Sequence, residues 1–76
     1  MFGEIDLKYI GRVCKRFRKS IKVTQEKMGK EIGYTASNIS SFETGRSNNA
    51  IILAWYMING LDPKTLKGAI TWQEKE

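Results

Sequence analysis

The stretch of sequence that decides the fold is residues 24–46, which reads TQEKMGKEIGYTASNISSFETGR. It contains two short helical patterns, one on each side of a glycine. The first pattern, Gln25–Ile32, follows Thr24, whose hydroxyl can cap the start of a helix. Gly33 can adopt the left-handed backbone conformation that a tight turn between helices requires. The sequence therefore predicts a helix, a short turn and a second helix.

The second helix of this pair, predicted from Ala36 to about Thr44 with Thr35 as its cap, has an unusual composition. Only Ile39 and Phe42 are large and apolar, and their spacing places both on the face that meets a core. Serine and asparagine form helices poorly, so a helix rich in them is either marginal or selected for what its surface contacts. The small polar side chains are those of Ser37, Asn38, Ser40 and Ser41.

Three further helices are predicted around this pair. The first runs from about Asp6 to Ser20, with apolar residues on one face and basic residues on the others. The fourth, Ala50 to Asn59, is apolar almost all the way round, which indicates burial on more than one side. A short fifth helix begins at Asp62-Pro63 and ends near Gly68. The expected fold class is all-α, a compact bundle of about five short helices.

The net charge of +5 is unevenly distributed along the 76 residues. Residues 1–46 hold ten of the thirteen basic side chains and five acidic ones, whereas residues 47–76 hold three of each. Such an excess on one part of a protein is expected where that part faces a polyanion. The predicted organisation is one domain over residues 1–70 and a short C-terminal tail over residues 71–76.

Composition excludes several kinds of site. The chain has a single cysteine, Cys14, and no histidine, so a disulfide scaffold, a zinc finger and histidine-dependent catalysis are excluded. We expect no enzyme activity, no cofactor and no metal, because no convincing nucleophile-base pair or glycine-rich phosphate loop is present. No run approaches the roughly 18 apolar residues that cross a bilayer, so we expect a cytoplasmic protein without a membrane partner.

Two stretches resemble the lambda-repressor-like (Cro/CI-type, XRE) family of helix-turn-helix DNA-binding proteins. They are residues 18–33, RKSIKVTQEKMGKEIG, and residues 37–46, SNISSFETGR. The resemblance extends from about Leu7 to Asp62 and combines a Thr-Gln opening, a glycine turn and a Phe-Glu-x-Gly-Arg ending at the family's spacing. It implies a bacterial or phage-encoded regulator whose helix-turn-helix covers about residues 24–44 and whose second helix enters the major groove.

The resemblance also implies a role for individual residues. Arg18 and Glu43 form a structural ion pair between the first and third helices, and Gln25 both contacts a phosphate and braces the recognition helix. That helix has no arginine to read guanine, so the preference is expected to depend on A·T pairs, water-mediated contacts or DNA shape. The implied base-edge contacts are Thr35, Ala36, Ser37 and Ser41, and the phosphate contacts are Gln25, Asn38, Ser40, Arg46, Arg16 and Lys19.

Two loop positions depart from the family pattern. Lys22 stands where glycine is usual, and the loop after Arg46 lacks a proline that family members often carry. Neither departure touches the pattern of core residues. Both leave the geometry of the loops open.

Two functions fit this pattern. The first is a sequence-specific transcriptional regulator, a repressor or Cro-like controller protein, bound as a homodimer to a double-stranded DNA operator with half-sites roughly 34 Å apart. The alternative is a protein-binding module, an antirepressor or antitoxin, that uses the helix Ala50 to Asn59. RNA binding is disfavoured because the aromatic residues follow the spacing of a helical core rather than of a stacking platform. These aromatic residues are Phe17, Phe42, Trp55 and Tyr56.

Overall fold

The computed structural model describes residues 2–73, with the side chains of residues 3–71, and it is mostly helical. No helix in this part of the chain is long and apolar enough to cross a membrane. Each helix boundary lies within one residue of the predicted one, and a helical bundle of about five helices is confirmed at this level. The helices are α1 (Leu7–Ser20), α2 (Gln25–Ile32), α3 (Ala36–Glu43), α4 (Ala50–Ile58) and a 3₁₀ helix (Pro63–Ala69).

Each helix begins at a polar side chain that accepts a backbone hydrogen bond. Thr24 Oγ1 accepts from the N–H of Lys27 at 3.0 Å at the start of α2. Asn49 and Asp62 act in the same way at the start of α4 and of the 3₁₀ helix. These caps satisfy N–H groups that a helix leaves without an internal partner, which is why the helix starts could be predicted locally.

The turn between α2 and α3 depends on two glycines. Gly33 ends α2 with a φ of 81°, in the left-handed region. Gly29 lies so close to the following turn that an added Cβ would be 2.4 Å from the carbonyl oxygen of Tyr34. The Tyr34 N–H donates to the carbonyl oxygen of Gly29 at 2.8 Å. A side chain at position 29 would therefore push the two helices apart.

The loop between α1 and α2 places a lysine in a conformation that favours glycine. Lys22 has a φ of 61°. The adjacent N–H of Val23 donates to the carbonyl oxygen of Arg18 at 3.3 Å, which closes the end of α1. A left-handed conformation is costly for a residue with a Cβ, so Lys22 carries strain that glycine would relieve.

The core lies between α1, α3 and α4, with α2 packed over one side. The Phe42 and Tyr56 rings stack with their centroids 5.8 Å apart, and the Trp55 ring meets Tyr56 edge-on at 5.3 Å. Because these three rings are buried, they offer no stacking platform to an RNA base. The cluster of buried residues comprises Cys14, Met28, Ile39, Phe42, Ile52, Trp55, Tyr56 and Leu61.

The two ends of the described chain form a small sheet that the sequence analysis missed. Strands β1 (Phe2–Ile5) and β2 (Ile70–Gln73) pair antiparallel, with Ile5 opposite Ile70. The prediction of a tail over residues 71–76 is therefore wrong for residues 71–73, and residues 74–76 lie outside the described part. Four-residue strands at opposite ends of a chain have too little periodicity to be recognised from either segment alone.

Candidate nucleic-acid interface

A buried ion pair fixes α3 against α1. Arg18 Nε donates to Glu43 Oε2 at 2.8 Å, and Arg18 Nη2 donates to Glu43 Oε1 at 3.0 Å. Arg18 Nη1 donates to the carbonyl oxygen of Val23 at 2.7 Å and so holds the loop before α2. The ion pair that the resemblance implied is therefore present, in the two-pronged geometry that guanidinium and carboxylate groups favour.

The Glu43 carboxylate joins all four α-helices. Gln25 Nε2 on α2 donates to Oε1 at 3.1 Å, and the Tyr56 hydroxyl on α4 donates to Oε2 at 2.6 Å. With the two bonds from Arg18, the carboxylate accepts four hydrogen bonds, which compensate for its loss of water. The bracing contact implied for Gln25 is present, whereas the contact from Tyr56 was not predicted.

These contacts set the protonation of the cluster. Burial by itself raises the pKa of Glu43, but the hydrogen bonds from Arg18, Tyr56 and Gln25 outweigh it and hold that pKa below its ordinary value. The hydrogen bond to Glu43 raises the pKa of Arg18. Burial, followed by the hydrogen bond to Glu43, raises the pKa of Tyr56. At neutral pH the carboxylate is charged and the phenol is protonated, as the observed hydrogen bonds require.

The backbones of α1 and α3 touch next to this cluster. A Cβ added to Gly11 would lie 2.3 Å from the carbonyl oxygen of Glu43 and 2.8 Å from that of Phe42. The helices can approach this closely only because α1 has glycine at the crossing point. The position of α3 is thus fixed both by an ion pair and by direct backbone contact.

The outward face of α3 consists of small polar side chains. Ile39 and Phe42 are buried, and the helical repeat places Ser37 and Ser41 on the opposite side, one turn apart. Ser37 is exposed and Ser41 is half-buried. Two residues at one edge of this face, Ala36 and Ser40, are also half-buried.

Thr35 and Asn38 are engaged with each other at the start of α3. The Thr35 N–H donates to Asn38 Oδ1 at 3.0 Å, and the Asn38 N–H donates to Thr35 Oγ1 at 3.1 Å. The Thr35 hydroxyl also donates to Asn38 Oδ1, at 2.9 Å. The oxygen atoms of both side chains thus stabilise the helix start, and the Asn38 amide NH₂ is the group that this pair can offer to a ligand.

A shallow depression joins the basic face of α1 to the starts of α2 and α3. Lys15 and Lys19 are exposed at its edge, one helical turn apart. Helix N-termini present free N–H groups and partial positive charge, which attract phosphate. The sequence analysis named Lys19 but not Lys15, although their spacing of four residues indicates a shared face. The lining comprises Lys15, Arg18, Lys19, Thr24, Gln25, Glu26 and Ala36.

The two arginines predicted to contact phosphate lie elsewhere. Arg16 lines a different depression, with Tyr9 and Thr65, although it lies three residues before Lys19 on the same helix. Arg46 is exposed in the loop after α3, where its N–H donates to the carbonyl oxygen of Ser41 at 2.9 Å.

The Cys14 thiol and the acidic side chains are the groups that could support thiol chemistry or bind a metal. Cys14 is fully buried, and burial followed by the nearby charge of Glu43 raises the pKa of its thiol to about 12. The thiol is therefore protonated at neutral pH. Among the described residues, no group of three or more acidic or cysteine side chains is placed to hold a metal ion.

Comparisons with known proteins do not extend this picture. We found no match to a protein-family model, to a curated protein or to a solved structure.

Proposed function

We propose that this protein binds double-stranded DNA sequence-specifically and regulates transcription, with α3 as its recognition helix in the major groove. The observation that supports the proposal is the setting of α3. Its inner face is fixed by the Arg18–Glu43 ion pair, its outer face includes Ser37 and Ser41, and its first residue, Ala36, lines a depression with two exposed lysines. A helix that is held rigidly and carries short polar side chains can approach base edges closely.

The chemistry of the α3 face indicates what it would read. Serine hydroxyls donate or accept hydrogen bonds, and the NH₂ group of Asn38 can donate to a base or a phosphate. The methyl group of Ala36 can contact the methyl group of thymine. Because the helix has no arginine, we do not expect it to contact guanine. We expect recognition to depend on A·T pairs, on DNA shape or on contacts through ordered water.

Contacts with the phosphate backbone of DNA would provide most of the affinity for DNA. Lys15 and Lys19 flank the start of α2, where Gln25 already uses its amide to hold Glu43. A phosphate seated there would meet two ammonium groups and helix N–H groups. Arg46 would reach a second phosphate from the far end of α3. We propose that the protein is a regulator of the lambda-repressor-like class and that it acts as a homodimer on a two-fold-related operator.

Retention on sheared duplex DNA over a salt series tests the proposal. If a dimer makes six to ten phosphate contacts, its affinity should fall by about 10³- to 10⁵-fold between 50 and 200 mM salt. Single-stranded DNA at the same concentration is the matched competitor, and it should release less protein than duplex does. Absence of retention on duplex DNA at the lowest salt would contradict the proposal.

A protein-binding module remains the second candidate because α4 exposes large apolar side chains. Ile58 is 82% exposed and Ile51 is 56% exposed. In that case a second, different protein would bind α4, and DNA contact would be secondary or absent. The two candidates differ in the retention experiment, because an antirepressor or antitoxin of this kind would not need duplex DNA.

A further inference from the structure

Helix α4 has an exposed face that is entirely apolar. The inner side of the helix is buried through Ile52, Trp55 and Tyr56. The exposed residues fall at spacings of one, four, seven and eight, which is one continuous helical face. A contiguous apolar face on a small protein marks a contact with another molecule. The face comprises Ala50, Ile51, Ala54, Met57 and Ile58.

An apolar groove lies along one side of this face. Its apolar lining comes from Ala50 and Leu53 of α4, Leu7 and Ile10 of α1 and Phe42 of α3, and Asn48 and Asn49 also line it. The groove has a volume of about 350 Å³ and is open to solvent. Its walls can accept an aliphatic side chain from a molecule packed on α4.

The distribution of charge favours a second copy of this chain as that molecule. Helix α4 contains no charged residue, whereas ten of the thirteen basic residues lie within residues 1–46. Two copies that meet through α4 bury no charge, and the basic face of α1 stays outside the contact. A partner with a charged surface would lose the hydration of its charges without gaining a counter-ion here.

The arrangement of side chains on α4 is also complementary to itself. We infer that α4 packs antiparallel against α4 of a second copy, with the two Ala54 residues at the two-fold axis. From the helical repeat, Ile51 then lies beside Ile58 of the second copy on one side of the axis. On the other side, Met57 reaches Ala50 and Leu53 of the second copy, where the groove opens.

The sizes of these side chains fit the arrangement. The small Ala54 side chains allow the helices to approach closely at the axis, where larger residues would separate them. Methionine is flexible and fills irregular apolar spaces, so Met57 suits a groove that is not tightly shaped. A helix of nine residues makes a small interface, and we expect a dissociation constant on the order of micromolar.

Sedimentation of the full chain without DNA tests this interface independently of the proposed function. The protein should self-associate to a dimer as its concentration rises to about 500 µM. That concentration exceeds the dissociation constant expected for a small interface. Ile58→Glu should weaken association at least about 100-fold, because it buries a charge. Ile5→Glu is the matched control, since Ile5 is a 64% exposed isoleucine that lies on β1 and not on α4.

Each other outcome overturns the inference. If the wild-type chain stays monomeric, α4 does not bind a second copy, and its apolar face would bind a different protein. An Ile58→Glu variant that is folded by circular dichroism and still dimerises places the contact elsewhere. Loss of the dimer in Ile5→Glu alone assigns the contact to the small sheet.

Cysteine cross-linking tests the antiparallel register. Ala54→Cys should oxidise to a linked dimer at least about tenfold faster than Ser37→Cys on the exposed face of α3, because disulfides need closely spaced Cα atoms. The native Cys14 does not interfere, since it is fully buried. Ile51→Cys mixed with Ile58→Cys should give mainly the mixed dimer. Cross-linking of each variant mainly to itself would indicate a parallel arrangement and overturn the register.

Discussion

The outer faces of α3 and α4 differ in polarity and in the charge around them. Neither face is needed to form the core. The α3 face carries serines beside lysines, whereas the α4 face carries Ile51, Met57 and Ile58 with no charge. In a chain of 76 residues, which has a small core, neither choice is explained by stability. The difference matches the two contacts that we propose, a hydrated anionic partner at α3 and an apolar partner at α4.

The two helices are also anchored differently. The inner face of α3 includes the charged Glu43, held by hydrogen bonds from three other helices. The inner face of α4 is held by ring packing of Trp55 and Tyr56 and by one hydrogen bond from each of these residues, from Tyr56 to Glu43 and from Trp55 to Glu31. Hydrogen bonds constrain direction more than apolar contacts do, and the four that converge on Glu43 tie α3 to each of the other three α-helices. Such anchoring suits the recognition role that we propose for α3.

The largest expected effect comes from breaking the polar anchor of α3. Arg18→Ala leaves Glu43 buried without its ionic partner, which should lower the free energy of unfolding by about 3–5 kcal/mol. Urea unfolding measures the change. Lys15→Ala, an exposed substitution on the same helix, is the control and should change stability by no more than about 0.5 kcal/mol. Equal effects of the two substitutions would show that the ion pair is not an anchor.

Acid should weaken the same anchor. The pKa of Glu43 in the folded protein lies below its ordinary value of 4.5, so its contribution to stability is complete above that pH. The contribution is lost as the pH falls through the lowered pKa, because the folded state must then take up a proton. Unfolding free energies measured from pH 6 to pH 2 should fall less steeply for Glu43→Gln than for the wild type. If the unfolding free energies of the two proteins fall in parallel with pH, Glu43 is not the source of the pH dependence.

Removing one lysine tests whether DNA binding depends on the depression beside α2 and α3 or on the net charge of the whole molecule. Lys19→Ala should weaken binding to duplex DNA uniformly across sequences and reduce the slope of log affinity against log salt by about one. Lys67→Ala removes the same charge from the 3₁₀ helix and should leave the slope unchanged. A slope that changes equally in both variants would mean that net charge, rather than the depression beside α2, governs binding.

The smallest expected effect concerns the loop that joins α1 to α2. Lys22→Gly should raise the free energy of unfolding by about 1 kcal/mol, because glycine adopts a positive φ without strain. Lys22→Ala removes the same charge but keeps a Cβ, so it should give no gain. Thermal or urea unfolding distinguishes the two, and a similar gain from both would attribute the effect to charge.

Local features of this fold could be read from the sequence, and features that depend on distant residues could not. Thr24, Asn49 and Asp62 mark helix starts because a cap acts within a few residues. Tyr56 stands in an apolar run, and nothing in that run indicates that its hydroxyl meets Glu43. The pairing of β1 with β2 likewise depends on segments at opposite ends of the described chain.

The candidate site shows the same division. The apolar spacing of Ile39 and Phe42 correctly predicted which face of α3 is buried. The choice between Lys15 and Arg16 required knowing how α1 is rotated against α2 and α3. The structure places Lys15 in the depression with Lys19, and it places Arg16 in a different depression with Tyr9. Charge alone does not distinguish neighbouring basic residues on a helix.

Selection of random duplexes on the purified protein tests the central claim, that α3 reads DNA. The wild type should enrich a two-fold-related motif, and Ser37→Arg should introduce a guanine at the same position of both half-sites, since arginine pairs with guanine in the major groove. Ser20→Arg adds the same charge at the exposed end of α1 and should leave the motif unchanged. Failure of the wild type to enrich any motif at low salt, or an identical motif from Ser37→Arg, would contradict the account.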